Sequence, residues 1–448
     1  MRCMSRTIYG KIKRLFLLYV TIGVLIVIII FFLNRRPFLF SFSSVNNAKL
    51  YKYRKSYPGS YLEDYKPNNE SYCNFMYNLP DEFSYEEEHL EYGPELGVNG
   101  SYKVLYNVIR AKQNLSDVAA VTYVTHITPD FVSYITEVVR YWEGPVSIAA
   151  FVPDSDADIL TKQLIQLCQC LPSMSKVSVH YVFPKLYAPY VGKFLNAASP
   201  TDLCVITDTS NLITFRNRKG LIYPVNVSRN VARNAATTTL VLVSDVELIP
   251  SKHLASRFLE MILKFAKMSN FHFRHHVFVI PVFEVDNYES VPRSKKDLIQ
   301  LVRREKAVYF HRHICSHCQK FPGLEQWLSQ DSGKAVKIFS ATKRIYPYHR
   351  WEPVYIGTKD EPLYSETLSW EGKQDKMTQM LEMCLMGYRF LILDGAFLVH
   401  WPGIKRKSPQ SKSVSKWRYP HQLWNSRQYT AIVKRLSKKY PKNPKCKM

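Results

Sequence analysis

The hydrophobic pattern changes character near residue 117, beyond which short apolar runs alternate with amphipathic ones. The runs at 118–124, 146–152, 177–183, 203–206, 239–244 and 277–282 read as buried strands. Between them, 129–142 puts Phe131, Ile135, Val138 and Val139 on one face at helical spacing. The stretches 158–171, 224–236 and 254–265 read as helices. A later helix is predicted over 377–386 and a strand over 390–399. Such alternation predicts an α/β fold with a mostly parallel sheet. Ligands in such sheets sit at the carboxyl ends of strands. The chain has no Gly-x-Gly-x-x-Gly and no Walker loop, which argues against a dinucleotide or P-loop enzyme.

Before residue 117 the pattern has other causes. Residues 15–33 are nineteen uncharged, largely apolar positions, about enough to span a bilayer. Arg2, Arg6, Lys11, Lys13 and Arg14 precede them with no acid. A cleaved signal peptide has a shorter apolar core and a small-residue cleavage site. Here Arg35-Arg36-Pro37 follows, so an uncleaved signal anchor is predicted. The basic tail 1–14 then stays cytoplasmic and the remainder is lumenal, a type II membrane topology. A span this short favours the Golgi membrane over the plasma membrane. Residues 34–110 read as a stem of poor periodicity, with eleven tyrosines in 51–106 that predict partial packing on the main domain, 111–448.

A lumenal address fits two further features. Asn69, Asn99 and Asn114 open glycosylation sequons. Asn226 also does, but inside a predicted helix. Of nine cysteines, Cys3 would be cytosolic, leaving an even eight compatible with disulfides. Cys168 and Cys170, on one predicted helix, are too cramped to pair with each other, so each pairs elsewhere or stays buried.

Net charge is +24, of which the last 48 residues supply fourteen Lys/Arg and no acid. A lumenal address argues against nucleic acid as the partner. The tail reads as a solvated, partly disordered segment or as a surface for acidic glycans and sugar-nucleotide phosphates.

The candidate chemistry centres on Asp245 and Glu247, which close the apolar run 239–244. Two hard oxygen ligands at spacing two, just past a strand, suit Mn²⁺ or Mg²⁺ bridging a diphosphate. By itself Asp-x-Glu is also common in solvated turns. Arg229 and Arg233 share a face of the preceding predicted helix, with Asn230 between them, and suit a diphosphate or a sugar carboxylate. They read equally as a structural clamp. His311, His313, Cys315, His317 and Cys318 have spacing that permits zinc, but an oxidising lumen favours a disulfide or a surface loop.

Several motifs carry a resemblance. Tyr223-Pro-x-Asn-x-x-Arg-Asn, the acid-ended strand, Phe278-Val-Ile-Pro-Val-Phe-Glu284, Trp351-Glu-Pro-Val-Tyr355, Pro362-Leu-Tyr364 and Ala396-Phe-Leu-Val-His400 together resemble the lumenal glucuronyltransferases of glycosyltransferase family 49. The likeness runs through about 118–405. It implies a GT-A fold, a UDP-sugar donor, a divalent metal and inversion at the anomeric carbon. It also implies His400 as a third metal ligand beside Asp245 and Glu247, with Lys405 and Arg406 toward phosphate. Thr125 and His126 fall where the nucleotide's base and ribose lie in such folds, and Glu284 where acceptor hydroxyls bind.

An inverting transfer needs a general base. Glu371 and Asp375 are the candidates, in a loop one residue longer than in the better-known vertebrate members. Asp375 reads equally as a helix N-cap. The function expected is transfer of glucuronate from UDP-glucuronate to a glycoprotein glycan. A UDP-GlcNAc β-1,3-transferase is the alternative within the enzyme class. A catalytically weak glycan-binding relative is the alternative outside it, because sugar-nucleotide transferases place Asp where Glu247 stands.

Overall fold

The computed structural model describes residues 58–446, apart from 60–64, 69, 92–95, 113–119, 194–203, 205–208, 210, 269–273, 331–332 and 408–411. The predicted cytoplasmic tail and membrane span, the sequons at Asn69 and Asn114, and most of the predicted strand 203–206 lie outside the described residues. Among the described residues no helix is long and apolar enough to cross a membrane. Asn99 is exposed, with a left-handed φ of 55°.

The apolar runs become the centre of a mixed sheet. Val121–Ile127 pairs in parallel with Val146–Phe151 on one side and Leu240–Val243 on the other. Val177–Pro184 continues the parallel set beyond Val146–Phe151. On the other flank Val354–Gly357 runs antiparallel between Leu240–Val243 and His276–Ile280. Arg389–Asp394 and Lys337–Thr342 extend that edge. The result is a mixed α/β architecture that fits a GT-A-like fold.

Alternation along the central strands gives the sheet two apolar faces. Tyr123, Ile148, Val179 and Tyr181 point into the core built with Ile135, Val138, Leu160 and Leu164 of the helices Tyr134–Tyr141 and Asp156–Cys170. Val124, Ala149, Phe151 and Val182 point the other way, against Val227, Val231 and Ala232 of Val225–Ala235. Helices on both faces explain why these strands read as continuous apolar runs.

Three predicted strands prove longer or shorter than the folded ones for one reason: the chain changes sheet. His276–Ile280 stops at Pro281 and resumes as Val282–Val285. Arg389–Asp394 stops at Gly395, with φ 77°, and resumes as Leu398–His400. Leu240–Val243 is followed, after the acids, by Leu248–Pro250. The three second halves, joined at the edge by Ala307–Tyr309, form a small sheet in the order Ala307–Tyr309, Val282–Val285, Leu398–His400, Leu248–Pro250.

Residues of the expected stem, 34–110, enter the main sheet. Tyr102–Arg110 is a strand of the main sheet, antiparallel to Val177–Pro184, and Cys73 is bonded to Cys168. The strand hides from a period-two reading because its register shifts between Leu105 and Ile109, around Asn107 at φ 53°. Its buried residues therefore come in pairs, Val104-Leu105 and Val108-Ile109.

The basic tail is folded as well, which removes the disordered reading for its described part. Lys412–Lys439 is a helix that buries Ile432 and Leu436 against Leu368 and Leu381. Its far end is held by the Cys384–Cys446 disulfide. Cys170 pairs with Cys204 and Cys315 with Cys318, so all eight described cysteines are bonded. Closing a 62-residue loop is worth about 4 kcal/mol in chain entropy at most. Cys446→Ser should therefore cost about 2–4 kcal/mol of unfolding free energy under non-reducing conditions, measured by chemical denaturation.

Candidate active site

The gap between the two sheets is where Asp245 and Glu247 emerge, and it opens into a cleft of 1090 Å³. Both acids line it, with His126, Arg229, His400 and Lys405. The small sheet brings the distant residues together: His400 pairs across to Leu248, one residue past Glu247, and on its other side to Glu284.

Asp245 is held from three sides. Its Oδ1 accepts from Arg229 Nη2 at 3.0 Å and His126 Nε2 at 3.3 Å, and its Oδ2 from Lys376 Nζ at 3.1 Å. Burial alone would raise the Asp245 carboxyl, but Lys376 and Arg229 outweigh it and hold the group well below the usual carboxylate range. The Asp245 carboxylate can only accept, so a neutral His126 ring keeps its proton on Nε2, and Nδ1 accepts from Tyr223 Oη at 2.6 Å. Burial pushes the His126 imidazole down, which favours that neutral form.

Glu247 and His400 make a separate pair, with Oε1 3.2 Å from Nε2. Lys405 Nζ lies 3.7 Å from the other Glu247 oxygen. Burial raises the Glu247 carboxyl, but the His400 hydrogen bond and Lys405 bring it below its ordinary value. His400 Nδ1 faces the Gly403 carbonyl at 3.3 Å. Both ring nitrogens therefore face oxygens. A cation shared by Nε2 and Glu247 would fit this arrangement, since a backbone carbonyl on Nδ1 is the usual partner behind a metal-bound histidine. Carboxylate and imidazole donors suit Mn²⁺. The Asp245 carboxylate is turned to its cations and does not converge with this pair: among the described residues, only Cys315, His317 and Cys318 bring three ligand atoms within 4.8 Å of one another. Those two sulfurs are in a disulfide, so the zinc reading gives way to the disulfide one.

Arg229 is 3 % exposed and bridges Asp245 to Asp375, donating from Nη1 to the Asp375 carboxylate. Asp375 lines the cleft but is not the helix N-cap, a position taken by Lys376 without a side-chain cap bond. Lys373 and Gln374, both at left-handed φ near 60°, turn the loop so that Asp375 and Lys376 face Arg229 and Asp245. The loop is braced from behind by Asn425, which bonds Ser369 and Lys373. Gly372 packs so closely there that a Cβ would lie 2.2 Å from Asn425.

Five expected site residues have other work. Glu371 is fully buried and outside the cleft, accepting from Arg216 Nη2 at 2.9 Å and Tyr223 N at 3.0 Å, so it cannot meet an acceptor hydroxyl. Asn230 bonds both backbone groups of Tyr364 and the Glu366 carboxylate. Arg233 donates to the carbonyls of Glu361 and Pro362. These two clamp the segment 361–366 rather than a substrate. Thr125 points to the opposite side of its strand from His126 and is fully buried. Glu284 is fully buried and accepts from His311 N and Lys405 N, at 3.1 Å each, tying two cleft segments to the small sheet.

The other end of the cleft is aromatic and basic. Trp370, 45 % exposed, carries the Arg418 guanidinium 4.4 Å from its ring centre, and Tyr429 and Arg350 line the same wall. Lys376, Glu352 and Trp370 are cleft residues the sequence reading missed. The signal for Glu352 was a lone acid in the otherwise apolar Trp351-Glu-Pro-Val-Tyr355, and for Lys376 its place directly after Asp375.

Comparison with known proteins gives this cleft its class: the molecule is a glycosyltransferase. A family profile described as "Glycosyl-transferase for dystroglycan" matches residues 120–441. The chain belongs to that family, glycosyltransferase family 49, as its motifs implied. It is 26 % identical over 338 residues to beta-1,4-glucuronyltransferase 1 of Danio rerio, covering 70 % of this chain and 76 % of that one. It is 24 % identical over 370 residues to the Homo sapiens protein of the same name, covering 79 % and 83 %. Xylosyl- and glucuronyltransferase LARGE1 of Homo sapiens is 21 % identical over 326 residues, covering 72 % of this chain and 35 % of that longer protein.

The buried guanidinium gives a stability test. Arg229→Met leaves Asp245 and Asp375 without their shared partner and should cost about 3–5 kcal/mol, read by chemical denaturation. Adding Asp375→Asn should recover part of that loss.

Proposed function

We propose that the chain is a Golgi glycosyltransferase, anchored by residues 15–33, that transfers glucuronate from UDP-glucuronate to a glycan hydroxyl with inversion. Mn²⁺ (or Mg²⁺) is its cofactor. The observation that carries this reading is the Glu247–His400 pair, two residues beyond Asp245, in a cleft ringed by Arg229, Lys376 and Lys405. Asp245, Glu247 and His400 would hold the ion, and the ion would neutralise charge on the leaving diphosphate. Asp245 would join the set by turning from Lys376.

The names of the relatives support the donor: each includes glucuronyl transfer. The four disulfides, which pair all eight described cysteines, support a lumenal address. Trp370, with Arg418 stacked on it, suits the acceptor: an exposed ring offers a sugar its apolar face, and the guanidinium offers hydrogen bonds. A catalytically weak glycan binder is the second reading, favoured by the ion pairs that already occupy Asp245.

Release of UDP by the full-length chain in detergent, with Mn²⁺ and a panel of UDP-sugars, separates the two. The proposal expects turnover with UDP-glucuronate above the other donors, abolished by a chelator. Glycan binding with no UDP released from any donor would leave only the second reading. Glu247→Gln and His400→Ala should each raise the Mn²⁺ concentration for half-maximal rate by about 10–100-fold. Trp370→Ala should raise the acceptor KM about 2–10-fold with donor KM unchanged.

A further inference from the structure

An inverting transfer needs a carboxylate that faces the cleft, is free to take a proton, and stands close enough to the donor site to reach the acceptor hydroxyl on the face of the sugar opposite the leaving group. The cleft-lining acids are Asp130, Asp245, Glu247, Glu352 and Asp375. Asp245 is taken by Arg229, His126 and Lys376, Glu247 by His400 and Lys405, Asp375 by Arg229, and Asp130 by Thr128. Among the described residues, the Glu352 carboxyl alone of the five makes no hydrogen bond or ion pair.

Its backbone, by contrast, is fixed. The Glu352 N–H donates to the Cys318 carbonyl at 2.8 Å and its carbonyl accepts from Gln319 Nε2 at 2.6 Å. The preceding Trp351 is 1 % exposed, and its carbonyl accepts from the buried Arg344 at 2.7 Å. Val354–Gly357 runs antiparallel to Leu240–Val243, with Ile356 opposite Leu242 and Gly357 opposite Val241. The chain just before Val354 therefore emerges at the sheet edge from which Asp245 and Glu247 emerge. Glu352 shares the cleft lining with Asp375, Lys376, Arg350 and Tyr429.

We propose that Glu352 is the general base of the transfer, in place of Glu371 and Asp375. The inference rests on the glycosyltransferase reading above. As the acceptor oxygen bonds to the anomeric carbon, the bond from that carbon to the diphosphate breaks and its electron pair leaves with UDP. Glu352 takes the acceptor's hydroxyl proton and later returns it to solvent.

The surroundings favour this role. Burial, and then the Asp375 carboxylate, push the Glu352 carboxyl up to about 7, against the opposing charges of Lys376, Arg344 and Arg229. A base with its proton affinity near neutrality balances being deprotonated against being able to accept a proton. Activity should then fall as pH drops below about 7, where Glu352 becomes protonated.

Azide provides the test, because it attacks an anomeric carbon without losing a proton. In Glu352→Gln, transfer to the hydroxyl acceptor should drop about 10²–10⁴-fold, as for loss of a general base. Formation of glycosyl azide should stay within about threefold of wild type, by the same proton accounting. The acidic limb of kcat/KM near pH 7 should vanish from the residual activity, and Glu352→Asp should restore part of the rate. Hydroxyl transfer within about threefold of wild type, or equal loss of both reactions, would overturn the assignment. A wild-type chain that performs neither reaction would instead overturn the glycosyltransferase reading, so the two failures are distinct.

Discussion

The buried guanidinium of Arg229 is the contact on which the cleft depends. It joins Asp245, at the end of a central strand, to Asp375, on the loop before a helix. Three charges in a space with little water are tolerable only as a set, since each alone would carry a large desolvation penalty. Lys376 adds a second cation to Asp245, so the loop and the strand are held by charge as well as packing. The same residues that would meet a diphosphate thus hold the opening in shape when none is bound.

Around that centre the architecture solves a placement problem. Potential ligands arise on segments that are remote in sequence, and no single sheet presents them side by side. Breaking three strands, after Val243, at Pro281 and at Gly395, passes each chain into a second sheet where Leu248, Glu284 and His400 lie level. Glu284 then spends its carboxylate on the backbones of His311 and Lys405, which fixes two rims of the cleft to one strand. Buried polar groups outside the cleft do similar work: Asn230 and Arg233 hold 361–366, and Glu371 holds Tyr223 and Arg216.

Much of this was legible in the sequence. The central strands and the acids that follow them stood out because strands covered on both faces read as unbroken apolar runs. His400 and the family motifs were legible as a set. What escaped reading was whether a conspicuous polar residue faces the cleft or the core. Arg229 and Arg233 are one helical turn apart, yet one meets the acids and the other meets carbonyls. Thr125 and His126 are neighbours, yet strand alternation sends them to opposite sides. Glu371 and Glu352 are both acids beside tryptophan, and only their partners distinguish a clamp from a free carboxylate. The edge strand 102–110 was missed because a bulge replaced its alternation with pairs.

Asn425 gives the fold a temporal property. It sits in the helix Lys412–Lys439, yet it braces the loop carrying Asp375 and Lys376. Trp424 and Arg418 reach the same region from that helix. During synthesis the sheet, the acids and His400 emerge before residue 425. The assembled cleft therefore waits on a late segment, sealed by Cys446. An intermediate that has formed every strand would still lack one wall of its substrate site.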